Sequence, residues 1–375
     1  MFSALDDHGV PCVLYRRSTK EIEHLKKGGP FYCPMCEEAV QLRLSTKRAP
    51  HFAHLPRSSC SYKGESLRHQ KGKLMLFEWL HRQKLKPKLE HFLPAIGQRP
   101  DVYVEWKTYK FALEFQCSVI SPAEVKRRTR HYQKAGIVPL WIISEDKVKG
   151  KPPLLSFSEF LRNFIYCFDN HLHFYTFSPE SKRFSILDIH QSLSSRKILV
   201  RPRSTFLPSL SFPDLFRARE ASIQWEWWER SVYRYRTTPI LRPSGKDRQF
   251  LQFLYLNRIH YSLIPSVCFL PLRYQPLYDK PAHLWQTRAI VSHFLPLKKG
   301  EILRMPSIPV RDILGKKTID LMDEYLEELA YLGYAVKKGE CWYKQSDIPF
   351  SQNIEQALRQ DKELMIQLKH RDDKP

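Results

Sequence analysis

Between residues 65 and 148 the hydrophobic pattern switches several times between helical and strand periods. In ESLRHQKGKLMLFEWLHRQ (65–83), Leu67, Leu74, Phe77 and Leu80 fall close to helical spacing and predict a helix. PKLEHFL (87–93) reads as a strand. PDVYVEW (100–106) alternates Asp101, Tyr103 and Glu105 against Val102, Val104 and Trp106. In KFALEFQCS (110–118), Phe111, Leu113, Phe115 and Cys117 form one face, while Ala112, Glu114, Gln116 and Ser118 form the other. A short polar turn separates these two runs, so they predict an antiparallel hairpin. Next, SPAEVKRRTRHYQKAG pairs Ser121 with Glu124 as a capping box, puts Pro122 at the first helical position and ends at Gly136. IVPLWII (137–143) reads as a buried strand, which a right-handed crossover returns parallel to a neighbour. The predicted order is α-β-β-β-α-β.

The flanks read differently. Residues 1–62 suggest short strands and loops around Cys33, Cys36, His51, His54 and Cys60. From about residue 150 the chain turns aromatic, basic and mostly helical, with Pro-rich breaks such as RPRSTFLPSLSFPDLF and one hairpin over 170–190. QWEWWERSVYRYR and KDRQFLQFLYLNRIHYSLI mix aromatics with arginines, types that stack on bases and contact phosphate. Aromatic stripes at helical spacing also pack as ordinary core, and that reading comes first here. TIDLMDEYLEELAYLGYAVKKGECWYK (318–344) reads as a helix followed by a strand-turn-strand, similar to the end of a winged helix. The acidic face of that helix would repel DNA, which favours a packing or partner-binding module. The last stretch, IEQALRQDKELMIQLKHRDDKP, predicts a surface helix fading into a charged tail. The expected division is 1–62 for a small zinc-finger-like β-rich module, 63–150 for an α/β core and 151–375 for a mostly helical domain. The fold class is thus α/β (α+β) and multi-domain, as a length of 375 residues also suggests.

Charge narrows the partners. A formal net charge of +22, spread through the chain, points to a polyanion such as nucleic acid. No apolar run is long enough for a transmembrane helix, and MFSALDDHGV has no signal-peptide pattern. A cytoplasmic protein without integral membrane insertion is expected, with its eight cysteines as thiols or metal ligands rather than a disulfide set.

Two clusters can carry chemistry. Glu114 and Gln116 share a strand face, and Asp101 lies early in the neighbouring strand, so Asp101 and Glu114 can converge on one cation. Glu65, His69 and Lys73 recur at i, i+4 and i+8 as one helical stripe, and Glu65 joins the cluster if that stripe faces the sheet. Gathered carboxylates repel unless a hard cation such as Mg²⁺ neutralises them, and such an ion polarises a phosphoryl oxygen. The second cluster is a zinc candidate. Cys33-Pro-Met-Cys36 forms a C-x₂-C knuckle, and His51, His54 and Cys60 compete for the two remaining places. If HFAH is extended, His51 and His54 point to opposite faces, which favours His54 with Cys60 and leaves His51 open. Such a closed site is structural.

Pro100-Asp101, a gap of twelve and Glu114-Phe115-Gln116, in this element order, resemble the PD-(D/E)xK restriction-endonuclease-like superfamily. CPMC, HFAH, ESLRHQKGK, RPDVYV, ALEFQCS and GIVPLWII in succession resemble, more closely, the CoiA-type competence protein family over roughly residues 10–145. The resemblance implies a nuclease-like core acting on DNA taken up in natural transformation. It implies Asp101 and Glu114 as ligands of catalytic Mg²⁺ or Mn²⁺ and Glu65 as their helix-borne partner. Gln116 takes the superfamily lysine's place, and the helix carrying Arg128 and Tyr132 flanks the site. Gln can orient a water but carries no charge; His69 or Lys73, at helical spacing from Glu65, could supply the missing cation. The expected function is DNA processing in transformation and recombination by metal-dependent phosphodiester hydrolysis. The expected partners are DNA, single strands included, and recombination or competence proteins. The alternative is a non-catalytic DNA-binding or scaffold protein that recruits recombination factors, with a membrane-surface role a distant third.

Overall fold

The computed structural model describes residues 1–15, 17–45, 49–56, 58, 60, 65–217, 219, 222–240, 242 and 244–372. The chain forms two compact units: one of residues 1–148, 174–187 and 202–217, the other of 149–173, 188–201 and 218–375. Strands β13 (His171–Ser178), β14 (Arg183–Ser194) and β15 (Lys197–Phe206) contribute residues to both.

The first unit opens with a small antiparallel sheet in the order β2-β1-β3-β4-β5, built from β1 (Ser3–Leu5), β2 (Pro11–Val13), β3 (Phe31–Tyr32), β4 (Ala39–Arg43) and β5 (His51–His54). Helix α1 (Thr19–Gly28) lies between β2 and β3 in the chain and starts at a full Ser18–Glu21 capping box. Phe31, Val40, Leu42 and Phe52 bury one face of the module together with Cys33 and Cys60.

The mixed sheet of this unit runs β6-β7-β8-β9-β13, from β6 (Lys88–Leu89), β7 (Val102–Trp106), β8 (Tyr109–Gln116) and β9 (Ile137–Ser144). β7 and β8 form the expected hairpin, with Val102 opposite Leu113. β9 returns parallel to β8 through α3 (Pro122–Lys134). At the start of α3, Ser121 accepts from the Glu124 amide at 3.2 Å, but the Glu124 carboxylate pairs with Arg127 instead of closing the box. Gly136 ends the helix with φ +69°, a left-handed conformation that favours glycine. β13 extends the sheet beyond β9, also in parallel, with Tyr175 opposite Ile142.

Helix α2 (Leu67–Arg82) packs on β8, and its buried face differs from the expected stripe. Gly72, Lys73, Leu76, Phe77 and Leu80 are buried, whereas Leu67 is 49% exposed. The approach to β8 is so close that a Cβ on Gly72 would stand 2.1 Å from a Phe115 ring carbon. The strand expected over 87–93 shrinks to Lys88–Leu89, because Glu90 turns to φ +49° and leaves the ladder.

In the second unit the stretch after residue 150 is still strand-rich. β10 (Gly150–Lys151), β11 (Leu154–Ser156) and β15 pair antiparallel, and β12 (Tyr166–Phe168) pairs with β13. A short helix, α4 (Glu159–Arg162), lies between β11 and β12 in the chain. Helices dominate from α5 (Trp225–Thr237) onward, through α6 (Gly245–Leu256) and α7 (Ala282–Ala289). Two short strands, β16 (Pro309–Val310) and β17 (Ile319–Asp320), lead into α8 (Leu321–Tyr331). The hairpin β18 (Ala335–Lys338) and β19 (Cys341–Lys344) follows, and α9 (Ile354–Asp372) comes last among the described residues. The charged tail's final residues, 373–375, lie outside the described residues. Trp225, Trp228 and Val232 of the aromatic-basic stretch are core, as the packing reading expected. Arg236 is buried among them and satisfied by Asp361 at 2.7 Å and by the carbonyls of Ser262 and Ile264. No helix among the described residues is long and apolar enough to cross a membrane.

Candidate metal and nuclease-like sites

The β3–β4 turn builds a candidate metal knuckle. The Glu37 amide donates to Cys33 O at 2.9 Å, Glu37 adopts φ +58°, and the Met35 amide donates to Cys33 Sγ at 3.4 Å. This wraps the backbone around the sulfur and swings Cys36 beside it. His54, at the end of β5, brings Nε2 to 3.4 Å from Cys36 Sγ. The donor atoms of Cys33, Cys36, His54 and Cys60 all lie within 4.8 Å of one another. Burial pushes the Cys36 thiol up to about 12, helped by the neighbouring Cys60 and Cys33, so metal-free it stays protonated. Burial also lowers His54, leaving a neutral imidazole ready to ligate. Three thiols and an imidazole in a closed group fit a structural zinc. His51 is not in the group, and its Nδ1 lies 3.0 Å from the Ala49 carbonyl. Strand alternation separates the two histidines, as expected.

The second site stands where α2, β7 and β8 meet. Asp101 Oδ2 accepts from the Phe115 amide at 2.8 Å and lies 3.0 Å from His69 Nε2. His69 Nδ1 is 3.6 Å from Glu65, and its ring stacks on Phe115 at 6.1 Å. One turn further along α2, Lys73 is 0% exposed. Its ammonium donates to both Glu65 oxygens at 2.7 and 2.8 Å, to Glu90 Oε1, and stands 3.8 Å from Asp101. Burial alone would discharge these groups, but they hold each other charged. Burial works against the His69 imidazolium, yet the Asp101 carboxylate raises it to about 10. Burial likewise opposes ionised Glu65, and Lys73 with His69 still holds it well below the usual carboxylate range.

Glu114 turns to different partners. Arg128 and Tyr132 of α3 both donate to its Oε1, and the Arg128 guanidinium lies 5.2 Å from the Trp141 ring centre. Burial nevertheless lifts Glu114 to about 7, with Asp101 adding to the rise against Arg128. The ladder sets Asp101 and Glu114 opposite each other by extension of the Val102–Leu113 pair. Even so, the group of metal-capable donors among the described residues is Glu65, His69 and Asp101, without Glu114. Gln116 donates to Ser118 O at 2.6 Å and to Ser118 Oγ at 3.0 Å, so its amide is committed locally.

Glu90 was not anticipated from the sequence. Its Oε2 accepts from the amides of Phe2 and Ser3 at 2.8 and 3.1 Å, and it lies 3.9 Å from Arg99. It ties β1 of the zinc-type module to Lys73. No local signal marks it, since Lys88 and His91 flank it in the same short run and its partners lie up to 88 positions away.

With this geometry in view, the chain matches three family models in succession. Residues 14–63 match the N-terminal domain of competence protein CoiA, 65–220 its nuclease-like domain and 223–326 its C-terminal domain. The chain belongs to the CoiA competence protein family. Competence protein CoiA of Bacillus subtilis (strain 168) is 28% identical over 333 residues, covering 82% of this chain and 86% of that protein. No solved structure matches the chain. The family domains accord with an N-terminal β module holding the Cys/His cluster, a mixed α/β nuclease-like core and a helix-rich C-terminal region.

Proposed function

We propose that this chain processes incoming DNA during natural transformation and promotes its recombination, with metal-dependent phosphodiester hydrolysis in the nuclease-like core. The observation that carries this reading is the convergence of Glu65, His69 and Asp101 donors within 4.8 Å, beside the buried Lys73. Two carboxylates and an imidazole suit a divalent ion that accepts mixed oxygen and nitrogen donors and displaces the His69 proton as it binds, so Mn²⁺ fits better than Mg²⁺, which prefers oxygen alone. When bound, that ion supplies an activated water and polarises the phosphoryl oxygen. Lys73 takes the positioning part that Gln116 leaves vacant, since it fixes the Glu65 carboxylate from both oxygens. Arg128 holds Glu114 beside the site. The net charge of +22 supports DNA as the partner, single strands included; recombination or competence proteins in the cytoplasm complete the proposed setting.

A second reading has its own observation. The carboxylates are already neutralised inside the chain by Lys73, His69 and Arg128, so the core folds without an ion and can serve as a DNA-binding scaffold. Purified protein with Mn²⁺ or Mg²⁺ and linear single- or double-stranded DNA separates the two. Hydrolysis predicts cleavage that Asp101→Asn and Glu114→Gln abolish while binding persists. DNA binding without cleavage under either ion supports the scaffold. Affinity that does not fall with added salt counts against the electrostatic basis of both.

A further inference from the structure

The aromatic-basic stretch of the helix-rich unit is only partly explained as core. Trp228, Ser231 and Tyr235 on α5, with Phe269 and His283, line a cavity of about 180 Å³. Its walls are rings in fixed contact: Tyr235 packs 4.7 Å from His283 and 5.0 Å from Phe269 between ring centres. Trp228 is anchored by its Nε1–H, which donates to Phe269 O at 2.6 Å. The Tyr235 hydroxyl is buried and has no hydrogen-bond partner among the described residues. Buried hydroxyls rarely go unpaired, so this one points to a missing ligand. Burial lowers the His283 imidazole to about 4 against the nearby Asp247 carboxylate, so at neutral pH it offers one donor and one acceptor.

Size and charge narrow the ligand. A cavity of about 150 Å³ admits benzene, so this one has room for a single six-membered ring and is tight for a fused pair. Exposed Arg196, Arg234 and Lys280 adjoin lining residues in the chain and supply cations for phosphate. We propose that this cavity receives one unstacked pyrimidine base of single-stranded DNA, stacked among Trp228, Tyr235 and Phe269 and hydrogen-bonded by Tyr235 and His283. The inference rests on the reading that the chain engages DNA, but it concerns a site apart from the carboxylate centre.

Fluorescence anisotropy of the full chain with short oligo(dT) and oligo(dA) tests it. The wild type binds oligo(dT) more tightly. Ser231→Phe fills the cavity and weakens oligo(dT) about tenfold, leaving oligo(dA) unchanged. Tyr235→Phe keeps the ring, removes the hydroxyl and weakens oligo(dT) about fivefold; it decides the matter if Ser231→Phe does not fold. Equal affinity for both oligonucleotides, unmoved by the folded variants, overturns the pocket while DNA binding stands. No binding to either overturns the pocket and the DNA reading together.

Discussion

The first unit holds two polar clusters that meet the cost of burial in opposite ways. In the Cys33–Cys36–His54–Cys60 group no ligand brings another a counter-charge: Cys36 Sγ lies 3.4 Å from His54 Nε2, and its thiol is held protonated by burial and its sulfur neighbours. In the Glu65–His69–Lys73–Asp101 centre each charge has a counter-charge within the chain, and the buried Lys73 spans Glu65, Glu90 and Asp101. The donor set of the first cluster is consistent with a structural zinc that would tie its ligands together. The second is a structure already, and an ion there can serve chemistry only. A nuclease-like core can therefore keep its fold whether or not it cuts.

The sharpest way to break this contrast is to remove metal. Structural zinc contributes about 10–16 kcal/mol of apparent binding free energy in finger-type sites. A strong chelator should therefore unfold the N-terminal β module, seen as an early thermal transition and a loss of stoichiometric zinc. The transition of the nuclease-like core should shift far less. A Cys36→Ser protein should melt like the chelated wild type and ignore further chelator. If chelation leaves the melting curve unchanged, the Cys/His group is not a structural metal site.

The next largest effect lies in the compensated centre. Lys73→Met strands the buried Glu65, Glu90 and Asp101 carboxylates, and breaking a buried pair from one side costs about 3–5 kcal/mol. Adding Glu90→Gln removes one of the stranded charges, so the double variant should regain part of that loss in denaturant unfolding. Strict additivity of the two substitutions would mean that Lys73 and Glu90 are not coupled, against their direct contact.

The two clusters also differ in how far the sequence discloses them. The C-x₂-C knuckle is local, and alternation along HFAH separates His54 from His51, although it leaves open which of the two faces the cysteines. The α-β-β-β-α-β order is equally local, since it follows from period changes and from the Ser121, Pro122 and Gly136 signals. The carboxylate centre is legible only in outline. The i, i+4, i+8 stripe identifies Glu65, His69 and Lys73, but nothing nearby shows that Lys73 is wholly buried. Its burial depends on Gly72 letting α2 close on Phe115 and on Glu90 leaving the ladder to meet both Lys73 and the Ser3 amide. Those are contacts between distant segments, and strand alternation alone would have kept Glu90 in the ladder. Addition of β13 to the parallel edge beyond β9 is hidden for the same reason.

The smallest effect extends the contrast to half-buried titratable groups that lack full compensation, His283 and Glu324 in the second unit. Burial pushes His283 down to about 4 from an ordinary 6.5, with Asp247 opposing. Its neutral form is favoured in the fold, so its contribution is complete above pH 6.5 and is lost as pH falls toward 4. The limit is about 3 kcal/mol, at about 1.4 kcal/mol per pK unit. Burial lifts Glu324 to about 7 from 4.5, even though its carboxylate accepts from the amides of Arg273 and Tyr274. The sign is reversed there: the fold favours the protonated acid, so stability is lost as pH rises from 4.5 to 7. The two slopes oppose each other between pH 4.5 and 6.5, and the wild-type unit should be nearly flat across that window. His283→Phe removes one slope, so that variant should gain stability as pH falls. Glu324→Gln removes the other and should lose it. Urea unfolding of both variants at pH 4.5 and 6.5 reads the signs directly. Parallel profiles in wild type and both variants would show that neither group is buried against its charge.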